Sequence, residues 1–127
     1  MKYLQKIVMM FVLFVVLTAA CGAGQKVTVE IDYGGLQQNR KVDIKWKQGI
    51  TALDALQSAA QTETRLIGDH LLVASIDGVE GQVGIKVWYY RINDKSATLF
   101  ADKCILNEDD CMRWTYTKDV CSPGRGE

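Results

Sequence analysis

The sequence of 127 residues lacks most of the features that mark nucleic-acid binding or catalysis. Its 15 Lys and Arg residues are balanced by 15 Asp and Glu residues, so no basic field is available to hold a phosphate backbone. It has one histidine and contains no His-Glu-x-x-His motif, phosphate-binding loop, nucleophile elbow or carboxylate pair at an acid–base spacing. We therefore expect neither a nucleic-acid partner nor an enzyme.

Residues 1–20 have the pattern of a signal peptide. Lys2 and Lys6 precede an uninterrupted apolar run over 7–17, and small residues follow just before Cys21. A single membrane anchor is the competing interpretation, but the run is short for a span of about 20 residues. Without this segment, 13 cations face 15 anions, which leaves a net charge of −2.

The segment 17–21, Leu-Thr-Ala-Ala-Cys, resembles the lipobox of bacterial lipoproteins. The resemblance implies that Cys21 is acylated and becomes the new N-terminus, followed by a linker to residue 25. Several acyl chains anchor a protein stably where one does not. We expect an envelope location: the outer membrane, facing the periplasm or the cell surface, in a Gram-negative organism, or the outer face of the plasma membrane in a Gram-positive one. An ordinary secretory signal with a plain thiol at Cys21 is the alternative.

Three further cysteines, Cys104, Cys111 and Cys121, allow one disulfide and leave one thiol over. Sequence alone does not identify the pair. We favour Cys104 with Cys111, because the residues between them look like a loop that returns on itself, and Cys104 with Cys121 next. A metal site made from these cysteines and His70 would lack the close Cys-x-x-Cys spacing of common zinc sites, so none is expected.

Apolar and polar residues alternate at the start of the mature chain, which predicts a strand with one buried face. Gly34 and Gly35 begin a polar turn, and a second alternating run follows. These features predict a β-hairpin. Its apolar positions are Val27, Val29, Ile31 and Tyr33 on the first strand and Val42, Ile44 and Trp46 on the second.

A helix is predicted from Thr51 to about Gln61. Thr51 with Asp54 three residues later forms an Asp variant of the capping box, and Leu53 and Leu56 lie on one face. Such a short helix is marginal alone, so its apolar face must pack on a sheet.

The rest of the chain predicts three more strands. We expect a polar connection at 62–69, irregular chain at 78–84, a short irregular or edge segment at 97–101, and strands at 71–76, 86–93 and 112–117. The order predicts an α+β domain over 26–118 with a tail at 119–127: a β-grasp fold, with a mixed sheet of about five strands and one helix packed across one face. Its first and last strands should be parallel neighbours, and the segment 86–93 should be the central strand under the helix.

Four motifs lie in order along this domain: Thr-Ala-Leu-Asp-Ala-Leu at 51–56, Ser-Ile-Asp-Gly at 75–78, Val-Trp-Tyr-Tyr-Arg-Ile-Asn at 87–93 and Asp-Asp-Cys-Met-Arg-Trp-Thr-Tyr at 109–116. Together they resemble DUF4430, a domain of bacterial surface proteins that is related to the C-terminal domain of transcobalamin and intrinsic factor. Asp94 and Asp109 replace glycines of the family pattern, which questions the turn geometry because Asp tolerates a positive φ less well than Gly.

The resemblance implies that the domain supplies one wall of a corrinoid site, although a lone wall would bind weakly without a second protein.

Trp88, Tyr90, Trp114 and Tyr116 are expected in the core, and His70 on the surface. The acidic turn at 108–110 is interpreted as solvated rather than calcium-binding. The ligand-binding candidates are Tyr33, Tyr89, Arg91 and, in the glycine-rich loop, Gly81.

The expected function is a non-catalytic binding module, tethered to a membrane, for a small ligand such as a corrinoid. The alternative is an adaptor that docks another envelope protein through a sheet face or edge.

Replacing Cys21 by serine tests the lipid anchor. Because acylation needs the cysteine sulfur, Cys21→Ser should abolish metabolic labelling with a fatty acid and move the protein from the membrane pellet to the soluble fraction. An unchanged membrane pool would contradict lipidation.

Overall fold

The computed structural model describes residues 25–120, so the signal peptide, Cys21 and Cys121 lie outside the described residues. The described chain forms eight strands and one helix, in the order β1 (Lys26–Asp32), β2 (Arg40–Lys45), α1 (Ala52–Ala59), β3 (Thr62–Ile67), β4 (His70–Ile76), β5 (Val79–Glu80), β6 (Lys86–Ile92), β7 (Lys95–Ser96) and β8 (Cys111–Lys118).

Five strands form a mixed sheet in the order β2-β1-β8-β6-β7. All neighbours in it are antiparallel except β1 and β8, which are parallel. This confirms the predicted mixed sheet and the adjacency of the first and last strands. The prediction that β6 is the central strand was wrong: β8 holds that place, and β7 pairs with β6 only at Arg91 and Ile92.

A second sheet, in the order β3-β4-β5, was not predicted. The segment interpreted as a polar connection is strand β3, which pairs with β4 along its whole length. Its side chains are polar at the start because β3 is an edge strand with most of its residues exposed. Backbone pairing holds such a strand in place, and a polarity pattern does not report on it.

Helix α1 begins with the predicted capping box. Thr51 Oγ1 accepts a hydrogen bond from the Asp54 amide at 3.1 Å, and the Thr51 amide donates to the Asp54 carboxylate at 3.1 Å. The helix lies over β1 and β2 and buries Leu53 and Leu56. The expectation that the helix packs mainly on Trp88 was therefore wrong.

Trp88 is instead covered from the side of the second sheet. Its indole N–H donates to the Val79 carbonyl of β5 at 2.9 Å. Its ring meets the Tyr33 ring edge-on, with centroids 5.9 Å apart, and the Tyr116 ring at 5.2 Å. The hydrogen bond to Val79 joins the two sheets, and the ring contacts pack Trp88 within its own sheet.

Cys104 and Cys111 are both free thiols, so the favoured disulfide is not formed. Cys111 alternates with the buried Met112 and therefore lies on the outer face of β8, whereas Cys104 packs against the core. Burial, followed by the nearby Glu30 carboxylate, raises the pKa of Cys111 and keeps its thiol protonated. The pairs that involve Cys121 lie outside the described residues.

The two aspartates that replace family glycines keep the left-handed backbone. The φ angle is 65° at Asp94 and 68° at Asp109. The next residue, Asp110, is buried and accepts hydrogen bonds from the Asn93 side-chain amide at 2.8 Å and the Asn107 backbone amide at 2.7 Å. The interpretation of this turn as wholly solvated was therefore wrong at Asp110.

Restoring glycine at Asp109 should stabilise the protein by about 0.5 to 1 kcal/mol, because glycine adopts a positive φ without the steric cost that Asp carries. The free energy of unfolding from urea titration measures this. Glu108→Gly in the same turn is the control and should destabilise, since its φ is not positive and only the unfolded chain gains freedom. Equal effects at both positions would contradict the strain at Asp109.

Candidate functional site

A cleft of about 430 Å³ lies between the two sheets. Its size is within the range of small-ligand sites in proteins. The lining is mainly apolar and aromatic, and Arg65 and Asp119 are its charged members. The long walls are formed by 71–74 of β4 and 87–90 of β6, and the remaining lining residues are Arg65, Gly81, Val83, Ala97, Leu99, Phe100, Ala101, Trp114 and Asp119.

Two stacked aromatic rings form part of the wall. Tyr90 lies 4.7 Å from Trp114, centroid to centroid, with 21° between the ring planes. The Tyr90 hydroxyl donates to the Leu99 carbonyl and so connects the strand to the loop. Burial, then Cys104, raises the pKa of Tyr90, so the hydroxyl remains a neutral donor. The ring is therefore held in a defined position.

The Trp114 indole carries an unpaired donor. Its side chain is only 2% exposed, and Nε1 has no acceptor within the part of the chain that the structure describes. A buried polar group without a partner costs free energy comparable to a lost hydrogen bond. This cost is a reason to look for a ligand at this wall.

The rim of the cleft exposes large apolar side chains. Val83 is 61% exposed, Leu99 55% and Phe100 43%. Single exposed apolar residues are common, but three around one apolar cleft are typical of an interaction site.

One end of the cleft is closed by hydrogen bonds between loop and strand. The Asp119 carboxylate accepts from the Gly84 amide at 2.7 Å and from the Tyr89 hydroxyl at 3.1 Å. The Gly81 amide donates to the Ala74 carbonyl at 2.7 Å, which joins the loop to β4. The two sheets are thus connected here and leave the cleft between them.

Of the four predicted ligand-binding residues, the structure brings Tyr89 and Gly81 together on the cleft. Arg91 is exposed on β6 but is not among the lining residues. Tyr33 is fully buried, and its hydroxyl donates to Asp77. The structure therefore does not bring Tyr33 and Arg91 to this cleft. Tyr33 continues the alternation of β1, in which the odd-numbered side chains point inward, so its side chain fills the core.

Three parts of the site were not predicted from the sequence: the β4 wall, the rim residues Leu99 and Phe100, and Trp114. The one signal available for Leu99 and Phe100 was that they form an apolar pair inside a segment with no strand pattern. The β4 wall gave no signal, because an apolar strand looks the same whether its edge faces a cleft or another strand.

Asp77 joins several elements beside the core. Its carboxylate accepts from the Tyr33 hydroxyl, from Arg40 Nη1 at 2.7 Å and from the Gln61 amide at 3.0 Å. Burial by itself would raise the pKa of Asp77, but the hydrogen bonds and the Arg40 charge outweigh it and hold the pKa below the ordinary value of 3.8. Burial, then Asp77, raises the pKa of Tyr33, which keeps the phenol protonated.

Residues 49–118, more than half of the chain, match the family described as a domain of unknown function, DUF4430. The chain belongs to this family. No curated protein sequence is similar enough to count as a match.

Two solved structures of low sequence identity share the fold. One is a candidate metal-binding protein from Ruminococcus gnavus ATCC 29149, with 13% identity, a TM-score of 0.66, and coverage of 76% of this chain and 99% of that one. The other is haptocorrin in complex with Cbi, with 11% identity, a TM-score of 0.60 and coverage of 72% of this chain. The DUF4430 protein spans about a quarter of haptocorrin, since the match covers 25% of that chain.

Two further findings concern residues 25–120. No three His, Cys, Asp or Glu side chains converge there in a way that could hold a metal ion. No helix in this range has the length and apolar character to cross a membrane.

Asp77→Asn should lower the free energy of unfolding by about 1 to 3 kcal/mol at pH 7, because it removes the charge that pairs with Arg40 and the Tyr33 hydroxyl. Asp43→Asn is the matched control. Asp43 pairs with Lys26 at 3.5 Å, but both side chains are 54% exposed, so its loss should lower the free energy of unfolding much less than the loss of Asp77.

A comparison of wild type with Asp77→Asn over a range of pH tests the pKa of Asp77. A lowered folded-state pKa contributes stability that is present above pH 3.8 and is lost as the pH falls through the folded value. The difference in stability between wild type and Asp77→Asn should therefore shrink in urea titrations below pH 3.8. A difference that is constant with pH would contradict a charged role for Asp77.

Proposed function

We propose that this DUF4430 protein is a non-catalytic binding module, held at the bacterial envelope by lipid on Cys21, and that the cleft between β4 and β6 is its ligand site. The observation that carries the proposal is an apolar cleft of about 430 Å³, one of whose lining residues, Trp114, has a buried indole N–H without an acceptor among the described residues. The lipid anchor and the envelope location rest on the lipobox resemblance.

The β-grasp assignment is part of this proposal. The helix across one face and the parallel pairing of β1 with β8 support it. The sheet β3-β4-β5 is then an addition to that frame, and it is the addition that creates the second wall of the cleft.

The chemistry of the lining favours binding over catalysis. Asp119 and Arg65 are the charged lining residues, and the Asp119 carboxylate already accepts hydrogen bonds from Gly84 and Tyr89. The cleft therefore offers apolar contact and hydrogen bonds rather than an acid–base pair.

A corrinoid is the first small ligand to test, because the fold is shared with haptocorrin in complex with Cbi. Such a macrocycle would lie across the rim and contact Val83, Leu99 and Phe100, and a second protein would then close over it. An adaptor that docks an envelope protein is the second candidate. It is favoured by Leu66 and Ile67, which are 68% and 50% exposed on edge strand β3.

Isothermal titration with cobinamide and with the apolar probe 1-anilinonaphthalene-8-sulfonate tests the cleft as a ligand site. Wild type should bind at least one of them saturably, and Val83→Lys should weaken binding about tenfold, because a charge at the rim must be desolvated by an apolar ligand. Leu36→Lys is the matched control: Leu36 is 64% exposed, as Val83 is 61% exposed, but it does not line the cleft.

Leu36→Lys should bind as wild type does, and both variants should show the wild-type thermal midpoint. No saturable binding of either compound at high micromolar concentration, or equal weakening by both substitutions, would refute the cleft as a small-ligand site.

A further inference from the structure

The walls of the cleft present strand edges rather than strand faces. Side chains of a strand point alternately to opposite faces, so a wall that is one face shows every second residue. Here four consecutive residues, 87–90 of β6, line the cleft, and so do four consecutive residues, 71–74 of β4. The cleft therefore exposes backbone as well as side chains.

The hydrogen bonds of β6 show which backbone groups face the cleft. The amide and carbonyl of Lys86 both bond to Gln82, and the Tyr90 carbonyl accepts from Ala97. The backbone N–H and C=O groups of even-numbered residues therefore point away from β8. The Asn93 amide donates to Cys111, so the backbone groups of odd-numbered residues point toward β8. Trp88 therefore directs its N–H and C=O to the open edge.

Trp88 lies in the gap between the two bridges that cover this edge. The bond from the Gln82 amide to Lys86 is 2.6 Å long, and the bond from the Ala97 amide to Tyr90 is 3.4 Å long. Between them, no backbone partner for Trp88 exists on this side within residues 25–120, because β7 pairs only with Arg91 and Ile92. From Lys86 to Tyr90 the gap spans about 13 Å at roughly 3.3 Å per residue.

On the opposite wall, the edge of β4 is partly covered by a side chain. The Leu71 amide at the edge of β4 donates to the Asp102 carboxylate at 3.1 Å, so a side chain of the protein already satisfies it. Proteins commonly block open edges in this way, since an unpaired edge is a template for another strand. At Trp88, which is 6% exposed, no backbone or side-chain group of the described residues takes the N–H or C=O on this side.

We infer that the cleft takes an extended peptide segment of a partner protein, which adds as a strand to β6 beside Trp88 and packs apolar side chains between β4 and β6. Main-chain hydrogen bonds to Trp88 supply the affinity, and the apolar lining selects alternate side chains of the peptide. A second copy of this chain fits less well, because the bridges at Gln82 and Ala97 would meet its own bridges.

This inference rests on the proposed function, in which the cleft is a binding site, and it names the class of partner. It depends on backbone pairing, whereas the binding of a corrinoid or of an apolar probe does not. The two can therefore fail separately.

The test uses the mature protein and a capped peptide, Lys-Thr-Val-Thr-Val-Thr-Lys, whose three middle residues match the gap between the two bridges, together with two ester analogues of it. In one analogue the valine amides are replaced by esters, and in the other the threonine amides are, so that each loses the N–H donors along one edge and keeps its side chains. The parent should bind saturably, and at least one analogue should lose about tenfold or more in affinity, because hydrogen bonds to β6 are removed. Val83→Lys should weaken the parent and Leu36→Lys should not.

The amide signal of Trp88 in NMR spectra gives an independent measurement. Peptide binding should shift this proton downfield and slow its exchange with solvent. Absence of saturable peptide binding, equal affinity of the parent and both esters, or an unchanged Trp88 amide in the bound state would each overturn the inference. If cobinamide or the apolar probe binds in the same protein while the peptide fails, the proposed function survives and the peptide inference does not.

Discussion

The parallel pairing of β1 with β8 is the constraint on which the rest of the structure depends. It joins the first strand of the domain to the last, with Val29 opposite Met112 and Ile31 opposite Trp114. Every other element is inserted between these two strands in sequence. Because β8 then pairs with β6 as well, its inward side chains lie at the centre of the core. Loss of this pairing would separate the hairpin from the strands that line the cleft.

The cleft follows from how the inserted elements are divided. Helix α1 covers β1 and β2, while the sheet β3-β4-β5 lies beside β6. The loop that holds Gly81 and Gly84 bonds to β4 and to Asp119 after β8, which connects the two sheets at one end, and the segment 97–101 also lines the cleft. The apolar space between them is lined by backbone edges because neither β4 nor β6 has a full-length neighbour on that side.

Local patterns predicted the hairpin, the capped helix and the strands β4, β6 and β8, since alternation and the Thr51–Asp54 box each act within a few residues. Strand β3 was missed because its partner, rather than its side chains, determines it. The site was only half predicted. Tyr33 looked available because it is aromatic and near a turn, but its parity on β1 sends it into the core. Trp114 looked like plain core filling, and only the structure shows its unpaired donor.

The central claim is that β6 carries an open edge inside the cleft, and amide hydrogen exchange in the free protein tests it most directly. The amides of Val87 and Tyr89 point toward β8 and are paired with it, whereas the amide of Trp88 points to the gap. Residue-resolved exchange should show the Trp88 amide exchanging markedly faster than both neighbours. Equal, strong protection of all three amides would mean that the edge is already covered and would contradict the account.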